Sequence, residues 1–401
     1  MRYQLLVFFF LLVQMTSSFG QQQVHYKTDK TITCGAAQLD EYQYFLEDNR
    51  VAVVANQTSK IGDEHLVDFL LANDVNVVKV FAPEHGFRGK ADAGASIKDS
   101  RDAKTGLKIT SLYGKNKKPS YDHLADVDVV IFDIQDVGVR FYTYISTMHY
   151  VMQACAEMEK KLIILDRPNP NGFYVDGPVL DLKFQSFVGM HEVPLVHGMT
   201  IGEYAKMVNG EGWLGEDLIC DLTVIPCLNY DHYDYYKLPI KPSPNLPNMA
   251  SIFLYSSLGF FEGTVVSVGR GTDFPFQVVG HPKVKGFEFK YTPMPNEGSH
   301  YPKLQGKVCM GYDLRKYGVT NTPFENKINL TWIIEMYNQL KGLETPFFLE
   351  NNFLSKLAGT DQLKKQIIEG MSEEEIRATW KEDLQNFKPI RKKYLLYNDF
   401  E

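Results

Sequence analysis

Five short hydrophobic runs, each leaving into polar residues, constrain this chain more than any other feature of its sequence. They are VAVVAN (51–56), VNVVKVFA (75–82), KITSLYG (108–114), VDVVIFDI (127–134) and KLIILD (161–166). Their length and β-branched content are those of strands buried on both faces. Between them, EHLVDFLLAND (64–74) spaces apolar residues along one helix face, and ISTMHYVMQACAEMEK (145–160) does so over a longer stretch. The alternation predicts an α/β fold with a parallel sheet of residues 51–56, 75–82, 108–113, 127–134 and 161–166, covered by helices on both faces. Ligands in such sheets bind beyond the carboxyl ends of the strands. The motifs NQTS, PEHGFRG, QDVGVRFYTY and DRPNPNG follow the first, second, fourth and fifth runs. Glu84, Gln135 and Asn169 are therefore expected on one rim.

A chain of 401 residues exceeds one ordinary core. KLPIKPSPNLPN (237–248), with four prolines, reads as a rigid connector. The expected division is a domain over residues 36–240 and a second over 241–401, the latter with helices at 329–340 and 361–380. Residues 1–20 carry a basic start, an unbroken apolar run and small residues before Gln21, the pattern of a secretory signal peptide cut after Gly20. The run is too short to span a bilayer, so no membrane insertion is expected after cleavage. Removing Arg2 with the leader leaves 41 basic against 49 acidic residues, a net charge of −8. That balance disfavours nucleic acid or an anionic membrane surface as partner. The five cysteines form no CxxC pair; a Cys220–Cys227 bridge and two free buried cysteines are the alternatives.

The sequence lacks GxGxxG after its first strand and lacks GxxxxGK[ST], GxSxG, HExxH and EF-hand spacing. No cofactor or metal is called for by any motif, which leaves a sugar or another polar small molecule as substrate. In VFAPEHGFRGKADAG (80–94), Pro83 and Gly86 bracket Glu84 and His85, with Arg88 and Asp92 in the same loop. A helix N-cap is the bland alternative; a general acid or base is the functional one. In IFDIQDVGVRFYTY, Gln135, Asp136, Arg140 and Tyr142 either build a buried Asp–Arg pair or bind a carbohydrate, whose rings stack on aromatic faces. Arg167 and Asn169 stand in a proline-shaped loop that would also offer rigid donors and acceptors. Asn56 ends the first strand. Glu262, Arg270 and Asp273 come from FFEGTVVSVGRGTDFPFQ (260–277), read either as a glycine-rich hairpin with an ion pair or as the far wall of a cleft. Glycoside hydrolysis needs two carboxyl groups flanking the scissile bond, and Glu84 and Glu262 are candidates.

NQTS, FAPEHGFRG, TGLKITSLYG, DIQDVGVRFYTY, LDRPNPNG, GPVL, SFVGMHEVPLVHGMTIGEYA, PSPNLPN, FEGTVVSVGRGTDFPFQ and IRKKYLLY together resemble the exo-acting β-N-acetylmuramidases, from about residue 36 to the end. The resemblance implies a Rossmann-like domain joined to a smaller C-terminal α+β domain, with the active site between them. It also implies release of N-acetylmuramic acid from the non-reducing end of peptidoglycan fragments, with Glu84 catalytic in the PEHG motif. His85, Asp136 and Glu262 join it as catalytic candidates. Asn56, Arg88, Gln135, Arg140, Tyr142, Arg167, Asn169, Asn245 (in PSPNLPN), Arg270 and Asp273 are expected to bind substrate. The muramic lactyl carboxylate calls for a guanidinium, so Arg88, Arg140, Arg167 and Arg270 are candidates. An exported member would fit a periplasm. The alternative function is a non-catalytic muropeptide-binding protein, which would keep the arginines and aromatics without an oriented glutamate.

Overall fold

The computed structural model describes residues 31–84, 86–88 and 100–401. Residues 1–20, His85 and Asp92 lie outside the described residues. Seven strands make the main sheet: Val51–Ala55 (β1), Val77–Ala82 (β2), Ser100–Arg101 (β3), Lys108–Ser111 (β4), Val129–Asp133 (β5), Lys161–Leu165 (β6) and Leu222–Ile225 (β7). Their order is β3-β4-β2-β1-β5-β6-β7, with β3 antiparallel to β4 and every other pair parallel. All five expected strands are present, each within two residues of its expected bounds. The sequence reading missed β3 and β7. Both lie at sheet edges, where β3 is exposed and β7 only partly buried, so neither carries an unbroken apolar signature.

The six parallel strands run in the order of a dinucleotide-binding fold, with the topological switch between β1 and β5. Alternate residues face opposite sides of the sheet. Val51, Val53, Ala55, Val80, Ala82, Ile131 and Ile163 pack on one side. Ala52, Val54, Phe81, Val130, Phe132, Leu162 and Ile164 pack on the other. The second set belongs to one continuous core that also contains Ile252, Phe253, Phe260, Phe261, Ile333 and Leu354 from the C-terminal half. The sheet and the second domain therefore share a core.

Helix Leu66–Ala72 (α1) starts at His65, whose ring accepts from the Val67 N–H. Helix Tyr144–Glu157 (α2) covers the other face of the sheet. After the proline-rich connector, Asn248 caps Met249–Leu258 (α3) through a reciprocal capping box with Ser251. A 3₁₀ turn, Gly259–Gly263, follows directly. The smaller domain carries a three-stranded antiparallel sheet, Val278–His281, Cys309–Asp313 and Lys290–Tyr291 in spatial order, and a set of helices that includes Phe353–Ala358 (α4). The single helix expected over 361–380 is two, Gln362–Glu369 and Glu373–Thr379. Gly370 takes a left-handed φ of 82°, and Ser372 with Glu375 forms a capping box that restarts the chain. Cys220 and Cys227 lie at opposite ends of β7, and all five cysteines are free. The Cys220–Cys227 bridge is therefore excluded. Asn56, which opens a glycosylation-like triplet, is fully buried.

Candidate active site

Because the β strands are parallel, the residues that leave them converge on one edge. Glu84 follows β2, Tyr113 follows β4, and Phe141 to Tyr144 end the loop after β5. These residues form one wall of a cavity of ≈ 570 Å³. Tyr255 of α3, Gly259, Glu262, Arg270, Phe353 and Leu357 form the other, and Ser243 of the connector lies between. The two walls come from the two halves of the chain. Gly259 makes the approach possible: a Cβ there would stand 2.3 Å from the Phe141 ring.

Glu84 is half-buried on the cavity wall. The Tyr113 hydroxyl donates to its Oε1 at 3.0 Å, and the Tyr144 hydroxyl donates to its backbone carbonyl at 3.4 Å. Burial, reinforced by the Glu84 charge, raises the Tyr113 phenol and keeps it a donor. Across the cavity, the Arg270 Nε donates to Glu262 Oε2 at 3.0 Å. Burial pulls the Glu262 carboxyl upward, but Arg270 and Lys303 outweigh it and hold it below the usual range. Arg270 lies over the Phe276 ring at 4.8 Å, and its two terminal nitrogens make no hydrogen bond among the described residues. Its charge is opposed by burial and favoured by Glu262, Tyr255 and Glu84. Tyr255 likewise feels Arg270, Glu262 and Glu84, behind a dominant effect of burial. One tyrosine and one arginine thus register both carboxylates. Phe141, Tyr142, Tyr144 and Tyr255 meet edge to face at centroid distances of 4.9–6.0 Å and line the floor. Lys117 also lines the cavity, its Nζ 4.1 Å from the Phe187 ring centre.

The other expected residues fall behind or away from the cavity. Arg88 lies on the outer face against α1, bidentate to Asp102 at 2.7 and 2.8 Å and paired with Asp68 at 3.1 and 3.2 Å. Arg167 is bidentate to the fully buried Asp133 at 2.5 and 2.8 Å. Arg140 is fully buried without a carboxylate: its terminal nitrogens donate to the carbonyls of Pro178, Val193, Leu357 and Ala358 at 2.6–3.2 Å. Desolvation brings it down to about 9. Of the four candidate guanidiniums, only that of Arg270 lines the cavity.

Asp136 is buried behind the tyrosines. Its Oδ2 accepts from the Gly138 N–H at 2.7 Å, its Oδ1 has no partner among the described residues, and burial pushes the carboxyl up to about 7. His197, with Nε2 3.9 Å from Asp136 Oδ2, is brought down to about 3 by burial and stays neutral. Gln135 ties the loop after β5 to Pro168 O at 2.7 Å. Asn56, Asn169 and Asn245 close turns or brace backbone: Asn56 accepts from the Thr58 N–H, Asn169 donates to Met199 O at 2.9 Å, and Asn245 to Gly298 O at 2.7 Å. Asp273 is exposed, outside the cavity. Tyr142 is on the wall and donates to Pro242 O at 2.9 Å. The sequence reading missed Tyr113, Lys117, Phe187, Ser243, Tyr255, Phe353 and Leu357. Tyr113 lies in KITSLYG and Ser243 in PSPNLPN, so the motifs that carried the resemblance already held both. No group of three or more metal-ligating side chains occurs among the described residues.

Two family models match the chain: residues 51–250 match "Exo-beta-N-acetylmuramidase NamZ, N-terminal" and residues 253–397 match its C-terminal counterpart. The chain is 38% identical over 380 residues to the peptidoglycan β-N-acetylmuramidase NamZ of Bacillus subtilis (strain 168), covering 90% of this chain and 89% of that one. Among solved structures, a DUF1343 family protein of Bacteroides fragilis NCTC 9343 is similar at 48% identity and a TM-score of 0.85, over 92% of this chain and all of that one. A second protein of that family and organism matches at 28% identity and a TM-score of 0.76, over 92% of this chain and 99% of the other.

Proposed function

The chain belongs to the exo-beta-N-acetylmuramidase NamZ family of glycoside hydrolases, and from that membership we propose that it releases N-acetylmuramic acid from the non-reducing end of peptidoglycan fragments. The observation that carries the mechanism is a single cavity lined by a carboxyl group from each half of the chain, Glu84 and Glu262. Glu84 protonates the glycosidic oxygen as the C1–O bond breaks, with the Tyr113 hydroxyl fixing its orientation. Glu262, held ionised by Arg270, stabilises the positive charge that develops at C1. The terminal nitrogens of Arg270 take the lactyl carboxylate, and the aromatic floor takes the sugar face.

Export to the periplasm is part of the same reading and rests on the leader pattern of residues 1–20. A mature chain beginning at Gln21 in the periplasmic fraction tests it.

Incubation with a disaccharide bearing N-acetylmuramic acid at its non-reducing end should release that sugar, detected by mass spectrometry. Glu84→Gln keeps the shape of the side chain but removes the proton donor, so a folded variant should lose about 10²-fold or more in turnover. The loss should shrink with a nitrophenyl leaving group, which needs little protonation. A folded Glu84→Gln enzyme that cleaves the natural disaccharide at near wild-type rate would remove Glu84 from the mechanism.

A further inference from the structure

We propose that Cys34 and Cys227 are a disulfide-forming pair that staples the N-terminal segment to the end of β7 when the folded protein meets a disulfide oxidant. The argument begins in the backbone. Thr33 and Leu228 form an isolated antiparallel bridge and exchange both N–H···O bonds, at 3.1 and 2.8 Å. In an antiparallel ladder the pair next to such a doubly bonded pair is the non-hydrogen-bonded kind, with Cα atoms roughly 4.5 Å apart and side chains on the same face. That next pair is Cys34 and Cys227. A pair of that kind falls inside the roughly 4.4–6.8 Å that disulfides span. The Cys227 N–H agrees with this assignment, since it donates sideways to the Tyr397 hydroxyl at 2.9 Å.

The side chains meet as the backbone requires. The Cys227 thiol donates to the Asp166 carbonyl at 3.2 Å, the same carbonyl that receives the N–H of Gly35, the residue after Cys34. Cys34 is partly buried and Cys227 is buried. The hydrogen bond from Cys227 brings the Cys34 thiol down to about 7 against the effect of burial, with help from the Arg167 guanidinium. Burial raises Cys227 instead. A less buried, more acidic thiol beside a more buried one is the asymmetry of an attacking and a resolving cysteine.

The chemistry balances with an external disulfide such as oxidised glutathione. The Cys34 thiolate attacks one sulfur of the oxidant, forms a mixed disulfide and expels the other sulfur as a thiolate. Cys227 gives up its proton and displaces the second sulfur. One protein S–S bond replaces that of the oxidant, two electrons and two protons leave the protein, and the oxidant departs as two thiols. Surrounding contacts hold the pair in register. Gly35 N–H donates to Asp166 O at 3.0 Å, and the Gln38 amide donates to Pro226 O at 2.7 Å. A Cβ at Gly35 would stand 2.3 Å from Ile225 O, so only glycine allows the segment to run this close.

The full chain, folded and incubated with oxidised glutathione, is unfolded, alkylated and digested for mass spectrometry. The expected result is one cross-linked peptide pair joining Cys34 to Cys227, lighter by two hydrogen atoms, with Cys155, Cys220 and Cys309 alkylated. Titratable thiols fall from five to three. In Cys34→Ser, Cys227 should be recovered alkylated, because the buried thiol lacks its attacking partner. Alkylation of both Cys34 and Cys227 in the wild type overturns the proposal. So does Cys34 trapped only as its glutathione adduct, or a cross-link between other cysteines.

Discussion

Arg270 divides its guanidinium between holding Glu262 ionised and presenting its terminal nitrogens to the cavity. Arg270→Leu should therefore cost muramides on the order of 2–4 kcal/mol of transition-state binding if the lactyl pair is desolvated. N-acetylglucosaminides lose the effect on Glu262 but no carboxylate contact, so the ratio of kcat/KM for the two sugars reports recognition separately from catalysis. An unchanged ratio would place carboxylate recognition elsewhere. Asp136 makes a different prediction. Below its ordinary value of 3.8 the carboxyl is protonated in folded and unfolded chains alike; above it the unfolded chain ionises while the folded one resists up to about 7. Stability from this group is thus full at low pH and is lost as pH rises through that window. Asp136→Asn keeps the acceptor for the Gly138 N–H and should raise stability at pH 8 by roughly 2–4 kcal/mol, read by denaturant unfolding. The gain should vanish near pH 4. The sequence could expose loop arginines but not their partners. Asp68, Asp102 and Asp133, which occupy Arg88 and Arg167, are 14 to 34 residues away and look like ordinary surface or strand-end acids until the sheet forms.

The element that decides the shape of the cavity is α4, which supplies Phe353 and Leu357 to its wall. Its last carbonyls, Leu357 and Ala358, accept hydrogen bonds from Arg140 in the loop after β5. A cation at a helix C-terminus satisfies groups the helix itself cannot bond and complements its dipole. Arg140→Met fills much of the same volume but leaves four carbonyls without that donor. It should cost about 3 kcal/mol or more in stability. KM should rise more than kcat falls, because α4 shapes binding without touching the reacting atoms; a proportional fall in kcat alone would contradict this. Gly259→Ala tests the same wall where it meets the facing one: its new Cβ overlaps the Phe141 ring, and steady-state kinetics should show weakened binding. The central strands were legible because a sheet covered on both faces writes them as unbroken β-branched runs. Strand β7, half-buried at an edge, and the split of residues 361–380 into two helices were not. The break there depends on Gly370 turning left-handed, a choice settled by packing.

At the scale of the molecule the second domain is bound to the first by more than their cavity. Arg377 is bidentate to Asp176 at 2.6 and 3.0 Å, and the C-terminal segment returns to the first domain, where Leu396 N–H donates to Glu203 Oε1 at 2.8 Å and Arg391 to Gly198 O at 2.8 Å. With a continuous core beneath these contacts, calorimetry should show one unfolding transition for the full chain, not two. A fragment ending at residue 250 should expose apolar surface and bind a hydrophobic dye. The legible part of this organisation was the presence of a smaller C-terminal domain; the shared core was not, since apolar residues far apart in the chain do not announce which of them meet. That core has a kinetic meaning. Walls joined by a shared core are expected to move as one body, so encounter and capture should be the same event. The observed association rate of a tight muramic-acid-like inhibitor should climb in proportion to its concentration, with no plateau from a slow isomerisation.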